Sequence, residues 1–272
     1  MKKTIALIGI IGIMATLLYI GCGKEKPTTP SLEDEAKSVA KKHTLVMETL
    51  ISNFSELDSM LPDEKVTVLD IFKSAENLKN IDKNAMAEIH KVVESLSEEN
   101  NRCFAELSIS RTKEDPDSLL QKLIEAQLQT IEDTVKREEM RAFVTSLAEN
   151  MMECESITTM IEFLGTVTCS DSASIYGLKL GEEILIDGAE TIYSPEWWKE
   201  QGYDNGSKVA WWIPIAAGDV FGGVLGGVLE PDCKWSWEGA GGGALKGSAM
   251  AGVGGVVTIR RTAKGDLTWE LI

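Results

Sequence analysis

The sequence predicts an all-α fold: an antiparallel helical bundle followed by a helical hairpin with a glycine seam. Three observations predict it. From Ser31 to Val167, apolar residues recur at the alternating three-and-four spacing of amphipathic helices. From Trp211 to Val257, glycine recurs every fourth residue on two successive runs: Gly218, Gly222 and Gly226, then Gly239, Gly243 and Gly247. Between the runs, Glu230-Pro231-Asp232-Cys233-Lys234 is a polar break in which Pro231 favours a turn.

The chain has 272 residues, enough for one or two domains with a sizeable core. Its start, Met1-Lys2-Lys3 followed by an apolar run from Ile5 to Ile20, reads as a secretory signal over residues 1–21. The run ends in Leu18-Tyr19-Ile20-Gly21-Cys22. This stretch resembles the lipobox of bacterial lipoproteins, with Tyr19 standing where that family usually has leucine. The resemblance implies cleavage before Cys22, lipidation of the Cys22 thiol, and an exported, membrane-anchored protein facing the periplasm or the cell surface. An uncleaved N-terminal anchor is the other reading of the same residues. Residues 22–30 carry two prolines and no periodicity, which suits a polar tether.

Residues 31–168 are expected to form the bundle. Ser31 caps a first helix whose stripe includes Ala36, Ala40, Met47, Leu50, Phe54 and Leu57, and Pro62 stops it. A shorter helix is expected from Asp63 to about Lys79, and another from Asn80 to Arg111. Asp115 and Pro116 open a long one that reaches Cys154, and Ser156 to Val167 adds a last. Residues 169–210 are a connector. Within it, Ile175 to Thr191 is read as helix in preference to strand, and Ser194-Pro195-Glu196 starts a short helix. Residues 258–272 suit a short β-hairpin or a frayed tail.

The hairpin, residues 211–257, is the most patterned part. A step of four residues returns to nearly the same helix face, so each arm offers a flank without side chains, on which two backbones approach closely. Folding the segment between Asp232 and Cys233 sets Gly226 level with Gly239, Gly222 with Gly243 and Gly218 with Gly247. The same fold sets Asp219 level with Lys246, and the two are expected to form an ion pair. Trp211, Trp212, Trp235 and Trp237 flank the arms as interfacial tryptophans would. The pattern is similar to the two-transmembrane glycine-zipper domains of bacterial envelope lipoproteins. That resemblance implies a hairpin that inserts in membrane lipid or forms a homo-oligomer through its glycine faces. Against insertion stand the two buried charges, the weak hydrophobicity of glycine, and Lys208, Arg260 and Arg261 at an end that an acylated Cys22 would place outside. A hairpin packed on the bundle is the equal alternative.

The net charge of −16 excludes the basic footprint that nucleic acid needs. His43 lies on the stripe of the first helix and His90 follows Glu88 too closely for a Glu-x-x-His pair, so both read as core or rim residues. No nucleophile elbow, phosphate loop or metal-spaced cysteine pair occurs. No catalytic residue, cofactor or metal is therefore assigned, and an enzyme is not expected. In an oxidising compartment Cys103, Cys154, Cys169 and Cys233 allow two disulfides with three connectivities, or stay free thiols. Three functions remain open. One is a lipid-anchored envelope protein with a structural or interaction role, its hairpin associating with membrane or with other helices. Another is an exported membrane-active, bacteriocin-like pore former. The third is a soluble periplasmic or surface binding module.

Overall fold

The structure is a computed structural model. It describes residues 31–62, 65–97, 108–110, 121–122, 124–125, 128–129, 131, 133–168, 172–202, 212–227 and 236–263. Cys22, Cys103, Cys169, Cys233, Trp211, Trp235, the hairpin tip and the last nine residues lie outside the described set. Ten helices dominate it: α1 (Leu32–Ser52), α2 (Phe54–Met60), α3 (Val68–Ala75), α4 (Lys83–Ser97), α5 (Thr134–Met152), α6 (Ile157–Thr166), α7 (Ser172–Asp187), α8 (Pro195–Glu200), α9 (Trp212–Gly226) and α10 (Trp237–Ala263). The fold is all-α, as its apolar periodicity requires.

Local chemistry sets the helix starts. Ser31 Oγ accepts from the Asp34 N–H at 3.1 Å while the Asp34 carboxylate accepts from the Ser31 N–H at 3.2 Å, a reciprocal box that satisfies two orphan donors. The same box recurs at Thr67 and Asp70 before α3, and at Ser156 and Thr159 before α6. Asp133 caps α5 by accepting from the N–H groups of Val135 and Lys136. Ser194 caps α8 with Pro195 in its first turn, and Ser236 caps α10 by accepting from the Gly239 N–H at 3.1 Å.

Four expected elements are corrected. The first helix breaks at Asn53, whose side-chain amide donates to the Thr49 carbonyl at 2.8 Å and competes with the helical ladder. The helix expected from Asp63 is preceded by a strand, β1 (Lys65–Thr67). It pairs antiparallel with β2 (Ser108–Ser110), which lies inside the helix expected over Asn80–Arg111; among the described residues of that span, α4 is the helix. Lys65 faces Ser110, Val66 faces Ile109 and Thr67 faces Ser108. Periodicity hid the sheet because a three-residue strand is shorter than one helical period. At the far end α10 continues to Ala263, so the tail's expected β-hairpin does not begin at Thr258.

From Glu35 onward the chain forms one compact unit. The hairpin does not follow the bundle as a separate module but sits inside it. Its arm α9 packs on α10, α7 and α5, while α10 also meets α7 and α3. Ile215, Ala216, Val220, Phe221, Val224 and Leu225 are all buried, and they belong to the same apolar cluster as Met47, Phe72 and Trp198. The tryptophans are core residues too. Trp198 and Trp212 are buried, and Trp197 and Trp237 are half-buried against the cluster. The membrane-belt expectation is corrected for Trp212 and Trp237. Among the described residues, no helix is long and apolar enough to cross a membrane.

Thr67→Ala removes one half of the box that starts α3 and is expected to cost about 1 kcal/mol. Thr67→Ser should keep that stability. Urea titrations of the two variants check this.

Candidate functional site

The site is built on the glycine seam. A Cβ placed on Gly218 would lie 2.9 Å from the Gly247 carbonyl, and one on Gly226 would lie 2.5 Å from the Gly239 oxygen. Gly222 and Gly243 meet backbone to backbone between them. The partners descend on one arm as they rise on the other, so α9 and α10 run antiparallel in the register that the fourfold spacing demands. No side chain fits between the arms.

A second seam was not expected. Gly177 and Gly181 of α7 lie against Val224 and Val220 of α9, with a Gly177 Cβ only 2.5 Å from the Val224 Cα. The signal in the sequence is Gly177-x-x-x-Gly181, inside the Ile175–Thr191 stretch of the connector. It makes α7, α9 and α10 a three-layer stack with α9 in the middle.

Four elements converge on one side of this stack. After α7 a turn folds Tyr193 back, with its N–H donating to the Gly188 carbonyl at 3.1 Å. The Tyr193 ring lies over Gly188, where a Cβ would come within 2.6 Å of Cε2. Trp198 fixes the same turn, its indole N–H donating to the Ile192 carbonyl at 2.9 Å. So held, Tyr193 O–H donates to Asp219 Oδ2 of α9. From α1, His43 reaches both arms. Its Nε2 is 3.0 Å from Ser248 Oγ of α10 and 2.7 Å from Asp219 Oδ1. The Ser248 hydroxyl gives its proton to the Ala244 carbonyl at 3.0 Å, so Nε2 carries the hydrogen and Ser248 Oγ receives it. Asp219 Oδ1 is therefore in charge contact with the ring without an aligned hydrogen bond, which is why it counts among the unpartnered buried atoms with His43 Nδ1 and Thr44 Oγ1.

The ion pair expected between Asp219 and Lys246 is corrected. Among the described residues, the partners of the carboxylate are Tyr193 and His43, and Lys246 is not one of them. The reason is rotational. One residue turns a helix by about 100°. Asp219 and Ser248 each follow a seam glycine by one, so in an antiparallel pair they emerge on the same side of the hairpin. Lys246 precedes Gly247 by one and emerges on the other side, where it is also buried. Sharing a level is not sharing a side.

No family model, no curated protein and no solved structure matches the chain. The chemistry must be judged from the cluster itself.

Ser248, His43 and Asp219 are the residue types of a nucleophilic triad, but their geometry is not one. A relay places the carboxylate on one ring nitrogen and the nucleophile on the other. Here both approach Nε2. The hydroxyl is committed to Ala244, and all three side chains are at most 1 % exposed. The arrangement binds elements together; it does not present a nucleophile.

Burial pushes the Tyr193 hydroxyl well above the usual tyrosine range, helped by the Asp219 charge, the hydrogen bond to it, and Asp187. Elsewhere, His90 is exposed with Nδ1 2.6 Å from Glu76 Oε1. Cys154 carries a free thiol that donates to the Asn150 carbonyl, so it enters no disulfide. Its pKa is raised chiefly by burial. Among the described residues, no group of three or more His, Cys, Asp or Glu side chains is placed to hold a metal ion.

Two outcomes are expected. Gly222→Ala forces a methyl into backbone and should cost about 1–3 kcal/mol, whereas Gly242→Ala, with nothing within 4 Å, should stabilise by about 0.5–1 kcal/mol. Chemical denaturation of both variants checks the contrast. Because the folded pKa of Tyr193 is raised, its contribution to stability is complete below the unfolded tyrosine value near ~10. That contribution is lost as pH climbs above this value, since only the unfolded chain then releases the proton. Ultraviolet phenolate titration should show this tyrosine silent until alkaline unfolding, and Tyr193→Phe should remove the silent step.

Proposed function

We propose that this chain is a lipid-anchored cell-envelope protein with a structural or interaction role. Its anchor is acylated Cys22, and its hairpin associates with the helices of its own body. One observation carries the second half of this reading. The Asp219 carboxylate, 0 % exposed, is engaged by Tyr193 and His43, neither of which belongs to the hairpin.

Insertion of the hairpin into a bilayer would separate Asp219 from both partners and leave a carboxylate in hydrocarbon, at a cost of about 2.5–3.5 kcal/mol on insertion scales. It would also open the α7–α9 seam and strip apolar cover from α1 and α3. The glycine faces that an oligomer would use are occupied within the chain, Gly218 by Gly247 and Gly222 by Gly243. Attachment to a membrane then falls to the N-terminal cysteine.

Fractionation with a carbonate wash tests this. Wild type should stay with the membranes and incorporate labelled fatty acid, while Cys22→Ser should incorporate none and move to the soluble fraction, still folded. Retention of Cys22→Ser in the washed membranes would overturn this reading: release on truncating the chain before Trp211 would mean that the hairpin inserts, and continued retention that residues 5–20 remain as an uncleaved anchor.

A further inference from the structure

The α7–α9 seam leaves one row of α7 facing away from the stack. Gly177 and Gly181 draw the helix onto α9. At about 100° per residue, Ile175, Lys179, Glu182 and Ile186 fall within about 60° of one another, on the flank opposite those glycines. The steps of four, three and four between them are those of a coiled-coil seam. Ile175 is 44 % exposed and Ile186 48 %, whereas Leu178, Leu180, Ile184 and Leu185 of the same helix are buried. Between the two isoleucines, Lys179 Nζ lies 3.0 Å from Glu182 Oε2 and 2.8 Å from Glu183 Oε1. Glu183 is buried and holds the lysine to the body, while Glu182 is partly exposed on the row itself.

This row is complementary to itself read backwards. Ile175 and Ile186 are equidistant from the peptide between Leu180 and Gly181, and so are Lys179 and Glu182. We propose that the row is an interaction surface for a second copy of the chain, which packs its own α7 antiparallel about a two-fold axis through that peptide. Isologous contact requires a surface on which every residue finds its match on the same surface. Here Ile175 meets Ile186 at both ends, and Lys179 meets Glu182 twice in the middle. A parallel copy would set lysine on lysine and glutamate on glutamate. A lipid surface would have to accept the ion pair between the isoleucines. The midpoint of the row lies one residue from the midpoint of α7, so the paired helices overlap along nearly their whole length, about 24 Å. The glycine faces stay inside each copy, and pairing leaves the hairpin as it is. Contact through a single short helix is small, which makes the dimer weak and reversible. The charge of −16 on each chain opposes it until salt screens the repulsion.

Sedimentation equilibrium of the full chain in non-ionic detergent, at about 0.15 M salt, where the Debye length is about 8 Å, measures the association whether or not Cys22 carries lipid. Wild type should form reversible dimers. Two variants give the middle of the row a single sign. Glu182→Lys makes it basic; Lys179→Glu combined with Glu183→Gln makes it acidic without stranding a buried carboxylate. Each alone should dimerise about tenfold more weakly or worse, since two attractive pairs become repulsive. An equimolar mixture of the two should regain association near the wild-type level, as heterodimers, because each acidic row then faces a basic one. Ile175→Ser combined with Ile186→Ser should weaken pairing by a similar factor and keep the circular dichroism spectrum. Wild type that stays monomeric at every concentration reached would overturn the proposal. So would charge variants that dimerise as tightly as wild type, or a mixture that pairs no better than its components. If the acidic variant loses its helical spectrum, the serine pair decides alone, weakened association supporting the proposal and unchanged association overturning it.

Discussion

Contact between the α9 and α10 backbones is the constraint from which the other features of the molecule follow. With no side chain between them, the two arms form a slab thinner than an ordinary helix pair, and nearly all their apolar side chains point away from the seam. Those side chains must be covered. α7 covers one flank, again through glycines, and α1, α3 and α5 cover others. The helices of the first half pack on one another, α2 on α3 and α3 on α4, and their buried stripes join the apolar cluster that the hairpin extends.

Burial of charge at this place is expensive, roughly several kcal/mol per ion before partners are counted. The cost of Asp219 is offset by a phenol that cannot easily lose its proton and an imidazole N–H in contact range. Neither partner is close in sequence, and each is held by its own local device: Tyr193 by the turn over Gly188, His43 by a helix whose Val39 and Met47 lie against Gly241 and Gly252 of α10. A polar group in the interior is thus supported by packing on three separate elements.

Much of this was legible in the sequence, and the limits of legibility have physical reasons. The glycine pairs could be matched by level because helical rise is uniform and the spacing is regular. The capping roles of Ser31 and Ser194 could be read because they are local. The partner of Asp219 was misassigned because level was counted without rotation; counting residues past the seam would have pointed to Ser248. Tyr193 and His43 could not have been found this way, since their approach depends on how distant segments pack. Asn53 and the two short strands escaped because periodicity averages over a dozen residues. The envelope reading rests on residues around Cys22, and their chemistry is independent of the packing described above.

Placing the hairpin last has a consequence for the order of events at birth. A ribosome releases α1, α3 and α5 long before the hairpin they pack on, so the part of each stripe that meets it must wait, exposed. The contacts of α1 and α3 with α10 join distant parts of the chain, and contacts of that kind form late and leave apolar surface open meanwhile.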